Sequence, residues 1–227
     1  MQKHVIIVAG GSGKRMGNAT PKQFLLLAGK PLLMHTMEAF YHADHKINII
    51  LVLPEVHIQH WNTLCKKYEF SLAHQITEGG RERFFSVKNG LQMVGESGLV
   101  AVHDGARPLI DKETINLVFD EAQKSGAAIP VTIPAESVRF IVNGKSEHVD
   151  REKVRMVQTP QVFQADILRQ AYNTPFSSLF TDDASVVESC GYSVSLTKGS
   201  SFNIKVTNPG DIALAETLLS IRAHGTD

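Results

Sequence analysis

The sequence predicts a doubly wound α/β domain built on a mostly parallel sheet. Short apolar runs of strand length recur without polar alternation, helix-length stretches separate them, and polar or glycine-rich turns follow them. Such runs are buried on both faces, as strands are when helices cover both sides of a parallel sheet. Repeated strand–helix units then place ligands at the carboxyl ends of the strands.

The first strand is expected over 4–9, where His4-Val5-Ile6-Ile7-Val8 is followed at once by Ala9-Gly10-Gly11-Ser12-Gly13-Lys14-Arg15-Met16. Glycines let the backbone turn and approach a ligand without a Cβ in the way. Exposed amides of such a turn form an anion-binding concavity, and Lys14, Arg15 and Lys22 stand nearby, with Pro21 stiffening the backbone before Lys22. Two familiar phosphate loops are excluded. A P-loop needs Ser or Thr after Gly-Lys and a glycine five places earlier, but Arg15 follows Lys14 and position 8 is Val. The dinucleotide fingerprint read from Gly11 meets Met16 where its third glycine belongs.

Further helices are expected near 31–43, 55–69, 82–95 and 111–125, and further strands over 47–53, 72–77, 99–103 and 127–133. Gly79-Gly80-Arg81-Glu82-Arg83 follows the third strand and opens a helix, with Ser86 in its first turn either capping it or reaching a ligand; Glu82 is better placed as the cap. His103-Asp104-Gly105-Ala106-Arg107-Pro108 ends the fourth strand. A carboxylate there is a helix cap or a Mg²⁺ ligand beside phosphates, and Asp111 is the better cap for the next helix. His103 reads as a packed strand-end residue.

From Pro134 to about Arg155 the rhythm breaks. Asn143-Gly144 between two β-prone runs is a hairpin signal, so an arm at about 134–155 projects from a single domain of 227 residues. Its edge needs a cover, either a second subunit or its own domain. The remaining polar motifs are scattered: Arg151, Gln158-Thr159-Pro160-Gln161, Thr181-Asp182-Asp183-Ala184 and Asn203-Ile204-Lys205-Val206-Thr207. Thr181 with two acids also suits a helix N-terminus with Thr181 as its cap, whereas Lys205 in a short β-like run needs an anion.

Composition limits the partners. Lys+Arg and Asp+Glu are both 23, so no global field recruits nucleic acid or an anionic membrane, and no 18-residue apolar run spans one. No signal-peptide cleavage pattern follows the first apolar stretch. Cys65 and Cys190 are far apart without metal-ligand spacing, which suits two thiols in a reducing cytoplasm.

Taken in order, these motifs resemble the 2-C-methyl-D-erythritol 4-phosphate cytidylyltransferases over nearly the full length. The first loop with Pro21-Lys22-Gln23 is shared by many nucleotidyltransferases; His103–Pro108, Thr159-Pro160-Gln161, Thr181–Ser185 and Asn203-Ile204-Lys205 narrow the likeness. The resemblance implies a Rossmann-like nucleotidyltransferase domain in which a phosphomonoester oxygen of methylerythritol phosphate attacks the α-phosphorus of CTP and pyrophosphate leaves. No strong base is needed, since the attacking phosphate is already an anion.

By the same resemblance Arg15 and Lys22 are catalytic, stabilising the pentavalent transition state. CTP would be bound by Ala9, Gly10, Gly11, Gly13, Arg15, Lys22, Gly80, Arg83, Ser86, Asp104 and Lys205, with Mg²⁺ on Asp104. Asp104, Arg107, Ser137, Arg151, Thr159, Thr181 and Lys205 would surround methylerythritol phosphate, Arg151 reaching in from the hairpin of the second subunit of a homodimer. Arg81 stands where many relatives carry Asp, and Gly10 and Gly105 where they commonly carry Ala, which loosens these loops. Ribitol 5-phosphate cytidylyltransferases share the same loops. A nicotinamide-dependent oxidoreductase would share the α/β pattern, with Glu55 as the acid after the second strand, but it needs a third glycine where this chain has Met16.

Overall fold

The computed structural model describes residues 1–10 and 20–224. In chain order its elements begin with β1 (Lys3–Val8), β2 (Leu26–Leu27), β3 (Lys30–Pro31), α1 (Leu32–Ala43), β4 (Asn48–Leu53), α2 (Glu55–Lys67), β5 (Gln75–Glu78) and α3 (Arg83–Leu91). They continue with β6 (Leu99–Asp104), α4 (Lys112–Ser125), β7 (Ala127–Thr132), β8 (Arg139–Val142), β9 (Lys145–His148), β10 (Met156–Val157) and β11 (Gln161–Gln164). The last are α5 (Ala165–Ala171), α6 (Asp183–Ser189), β12 (Ser195–Lys198) and α7 (Pro209–His224).

The central sheet runs β7-β11-β6-β1-β4-β5. Ala128 pairs with Val162 of β11 and with Ser195 of β12, so β12 lies on the outer side of β7. Pairs β6-β1, β1-β4, β4-β5 and β7-β12 are parallel, as the buried runs predict. Among the described residues of this sheet, only β10 and β11 run antiparallel to their neighbours. The sheet has a core on each face. Val5, Ile7, Leu51 and Ala101 pack toward Met37, Phe40 and Phe119 of α1 and α4. Ile6, Val52, Val100 and Val102 pack toward Phe84, Val87, Leu168 and Val187 of α3, α5 and α6. A three-layer sandwich follows directly from strands that are apolar at odd and even positions alike.

Several boundaries differ from expectation. The helix expected over 82–95 ends at Leu91, where Met93 and Val94 N–H groups bond the Gly90 and Leu91 carbonyls and tighten the last turn. Residues 72–74 stay outside β5, with His74 bonded to the Leu72 carbonyl and accepting from Trp61 Nε1 at 3.0 Å. Asp111 does cap α4, accepting from Thr114 N–H at 2.6 Å. Strands β8 and β9 pair around Asn143 and Gly144, whose φ values of 51° and 76° are the left-handed pair of a tight hairpin turn. All eight residues of these two strands are exposed.

The carboxyl ends of β1, β4, β5 and β6 open on one edge of the sheet. Ala9 and Gly10, Pro54, Gly79 and Gly80, and Asp104 stand there together.

Candidate active site

A cavity of about 300 Å³ lies at that edge, walled by Ala9, Gly10, Lys22, Gly80, Arg81 and Ser86 among others. Its β5–α3 wall is locked by backbone geometry. Gly79 N–H bonds the Leu53 carbonyl at 2.8 Å. Gly80 N–H donates to Ser86 Oγ, and the Ser86 hydroxyl donates on to the Glu82 carbonyl, both at 3.1 Å. Ser86 therefore holds the turn, and Glu82, at the N-cap position, makes no side-chain cap. A Cβ on Gly80 would fall 2.3 Å from Phe85 Cβ, so only glycine fits this path. Gly10 is the opposite case: among the described residues a Cβ there meets nothing within 4 Å. Gly105 is tight rather than loose, since a Cβ would lie 2.9 Å from Ala9 Cβ. Arg81 lines the cavity with its guanidinium 4.7 Å from the centre of the Phe85 ring.

A second cavity, also about 300 Å³, opens beside the first and is lined by Arg107, Thr159, Gln161 and Thr181. Arg83, Asp104 and Lys205 line both. Asp104 is the hub of this junction. Lys205 Nζ lies 2.7 Å from its Oδ2, Arg107 Nε 3.5 Å from the same oxygen, and Arg83 Nε 3.7 Å from Oδ1. Burial works to raise the Asp104 pKa, but Arg83, Lys205 and Arg107 outweigh it and hold the carboxyl well below the ordinary range. It stays an anion surrounded by cations. Lys205 thus has its anion, although residues 203–207 form no strand; Val206 N–H tethers the segment to the Ala106 carbonyl at 2.8 Å.

The Asp104 backbone is fixed from behind. Its N–H donates to Thr159 Oγ1 at 3.1 Å, and the Thr159 hydroxyl sits 3.0 Å from His103 Nδ1. His103 Nε2 reaches the Arg107 carbonyl at 3.2 Å. A carbonyl only accepts, so Nε2 carries the proton and Nδ1 accepts from Thr159. Burial lowers the His103 pKa to about 3, leaving the ring neutral. His103 is a packed strand-end residue, as expected, and the Thr159 hydroxyl links it to the Asp104 backbone beside the second cavity.

Arg83 does more than wall the first cavity. Its Nη1 and Nη2 donate to Asp183 Oδ1 and Oδ2 at 2.8 and 2.6 Å, and Tyr172 donates its hydroxyl to Asp183 Oδ1 at 2.6 Å. Burial works to lower the Arg83 pKa, yet Asp183 and Asp104 more than offset it and the guanidinium stays charged. The cap of α6 is Asp182, not Thr181. Asp182 accepts from Ser185 N–H at 2.9 Å, the Ser185 hydroxyl closes the box, and Gln161 clasps Asp182 and the Ala184 N–H. Thr181 is left exposed at the mouth of the second cavity.

Of the residues expected to act, Ala9, Gly10, Lys22, Gly80, Arg83, Ser86, Asp104, Arg107, Thr159, Thr181 and Lys205 all line one cavity or both. Gly11, Gly13 and Arg15 lie outside the described residues. Ser137 and Arg151 belong to neither cavity; Arg151 is exposed and donates to the Ala135 carbonyl at 3.1 Å. Asp183, Tyr172 and Asn203 were not expected; Asn203 accepts from Arg107 Nη1 through its carbonyl at 2.7 Å. The signal for Asp183 was the second acid of Thr181-Asp182-Asp183, since one cap needs only one.

The family model for 2-C-methyl-D-erythritol 4-phosphate cytidylyltransferase matches residues 3–221. The chain belongs to this cytidylyltransferase family. It is 50% identical over 219 residues to the 2-C-methyl-D-erythritol 4-phosphate cytidylyltransferase of Phocaeicola vulgatus, covering 96% of this chain and 100% of that one. Its identity to the corresponding protein of Azobacteroides pseudotrichonymphae is 52%, over 96% and 99% of the two chains. The crystal structure of 2-C-methyl-D-erythritol 4-phosphate cytidylyltransferase from Thermus thermophilus superposes with a TM-score of 0.78 at 32% identity, over 97% of this chain and 100% of that one. As a cytidylyltransferase-family member the chain is a nucleotidyltransferase enzyme with a Rossmann-like fold.

Proposed function

We propose that this enzyme joins CTP to 2-C-methyl-D-erythritol 4-phosphate, giving the CDP-methylerythritol and pyrophosphate. The observation that carries the reading is the pair of adjacent cavities sharing Asp104, Arg83 and Lys205. Two anionic substrates meeting at one cationic junction is what phosphate attack on a nucleotide α-phosphorus requires. The cavity with the Gly80 turn takes the nucleotide, and the one with Arg107 and Thr181 takes the phosphomonoester. Lys22, on the wall of the first, and Arg15 stabilise the charge that builds on the phosphoryl oxygens. No base is assigned, because the nucleophile is already ionised.

Mg²⁺ fits as a metal that arrives with the nucleotide. Among the described residues no group of three or more His, Cys, Asp or Glu forms a cage. Mg²⁺ keeps several waters and bridges one or two carboxylates to phosphates, so Asp104 suffices as its protein ligand. When bound it would offset triphosphate charge; Lys205 and Arg107 orient the carboxylate that receives it.

The hairpin supports a homodimer. Phe140 and Ile141 are 61% and 70% exposed on an unpartnered two-stranded sheet, and a second subunit would cover them. Arg151 and Ser137 would then complete the partner's phosphomonoester site. No described helix is long and apolar enough to cross a membrane, and the unpaired thiols of Cys65 and Cys190 support a cytoplasmic setting. The deciding assay incubates the protein with CTP, Mg²⁺ and methylerythritol phosphate or ribitol 5-phosphate and follows pyrophosphate release. Release with methylerythritol phosphate is expected; release with ribitol 5-phosphate alone, or with neither, overturns the reading.

A further inference from the structure

Arg83 opens α3 three residues after Gly80, and Asp183 opens α6 two residues after Thr181. One guanidinium therefore ties the wall of the nucleotide cavity to the segment that lines the second cavity. The tie is two-pronged, at 2.8 and 2.6 Å, and its acceptor has no exposed surface. Tyr172 fixes Asp183 from α5's C-terminal side at 2.6 Å, and Gln161 clamps the start of α6. The same Arg83 also presents Nε to Asp104, 3.7 Å away at the junction between the cavities. A planar fork held at both nitrogens transmits position as well as charge, which an ammonium on a flexible stem does not.

We infer that Arg83 and Asp183 form a positioning pair that fixes the distance and alignment between the two substrate cavities. Arg83 lines both cavities, and through Asp183 it holds their walls in register. It sets where the Gly80 turn and Thr181 stand relative to Asp104, and so where the attacking oxygen stands relative to the α-phosphorus. An in-line displacement is sensitive to such placement: a shift of about 1 Å costs about 10² in rate. The inference rests on the cytidylyltransferase reading, and it predicts a loss in kcat with binding largely kept.

Two variants separate positioning from charge and from packing. Arg83→Lys keeps the charge and removes the fork. The double replacement Arg83→Met with Asp183→Leu removes the buried ion pair but refills its volume with apolar atoms, a change folds commonly tolerate. Steady-state kinetics with CTP and methylerythritol phosphate, alongside thermal unfolding, should show kcat down by about 10- to 100-fold in both, with each KM within about threefold of the parent in Arg83→Lys, which keeps the charge of the junction. Tyr172→Phe, which spares the pair and removes one bond to Asp183, should fold and show a smaller kcat loss. Full kcat in folded Arg83→Lys would reduce the pair to a simple charge, and full kcat in the folded double variant would reduce it to packing; either overturns the inference. If neither folds, unchanged kcat in Tyr172→Phe overturns it. An unmodified protein that releases no pyrophosphate overturns the cytidylyltransferase reading itself, whereas active variants beside an active parent sink only the positioning role.

Discussion

His103 has no exposed surface, and burial keeps its ring neutral with a pKa near 3. In the unfolded chain the same imidazole binds a proton near pH 6.5. Between those values the unfolded state holds more protons than the folded one, so stability rises with pH and falls as the solution is acidified. The slope from this one residue reaches about 1.4 kcal/mol per pH unit once the pH is about a unit or more below 6.5. Denaturant unfolding at about pH 5.5 and 4.5 should show His103→Gln losing about that much less stability per unit than the parent, whatever its starting stability. His4 and His35, also lowered by burial, contribute equally to both proteins and cancel in the comparison. An unchanged slope would mean that His103 is protonated in the folded chain. Lys22 yields a kinetic prediction: Lys22→Ala should fold and turn over about 10²–10⁴ times more slowly, the scale for losing an electrostatic donor to a transition state. Normal turnover would remove Lys22 from the chemistry. Single residues were legible where their type and place were unusual, as with Asp104 at a strand end and Lys205 among apolar neighbours. The hydroxyls were not. Ser86 and Thr159 bond this chain's own backbone while lining the cavities, and no sequence pattern shows which backbone group a hydroxyl will hold. Tyr172 and Asp183 are partners only because α5 and α6 pack together, which is a tertiary fact.

At the scale of elements, the β5–α3 turn and the end of β1 make opposite use of glycine. Gly80 is required by the protein, since its Cβ would collide with Phe85, while Gly10 faces open space. Gly80→Ala should therefore cost about 1–3 kcal/mol in unfolding free energy, the range for forced overpacking, and raise the KM for CTP as α3 shifts. Gly10→Ala, which installs the residue that relatives commonly carry and which meets no described atom, should leave both the melting temperature and that KM unchanged. A raised KM would mean that the new methyl meets the nucleotide. The strands that build this edge were readable because each is apolar on both faces, as in Ile49-Ile50-Leu51-Val52-Leu53. Short pieces escaped for a physical reason. Strand β11 has four residues with glutamine at each end, β12 alternates polar and apolar along an outer edge, and α5 and α6 have seven residues each. Segments that short carry too few periods to reveal themselves, and their antiparallel or edge placement is set by packing against β6 and β7.

For the whole molecule, the hairpin is the part that a single chain leaves unexplained. Among the described residues the two four-residue strands pair only with each other, and Phe140, Ile141 and Val142 stay exposed along one of them. An isolated hairpin of this size is marginal in water, so its persistence in the fold calls for a covering surface. A two-fold dimer offers one to both chains at once. Arg151 follows the hairpin with its side chain 52% exposed and lines neither cavity of its own chain, while Lys22 lines the first cavity. If the arm reaches across, each complete site takes Lys22 from one chain and Arg151 from the other. Chains carrying Arg151→Ala and chains carrying Lys22→Ala should each be nearly inactive as homodimers. Mixed by co-expression and purified through two different tags, they should regain up to about half the parent activity per dimer, because one of the two sites then holds both intact residues. The mixed dimers should also show the parent KM for methylerythritol phosphate at that one site. Mixed dimers as inactive as their parents would place Arg151 in its own chain's site, and a monomer by sedimentation at assay concentration would end the shared-site proposal outright.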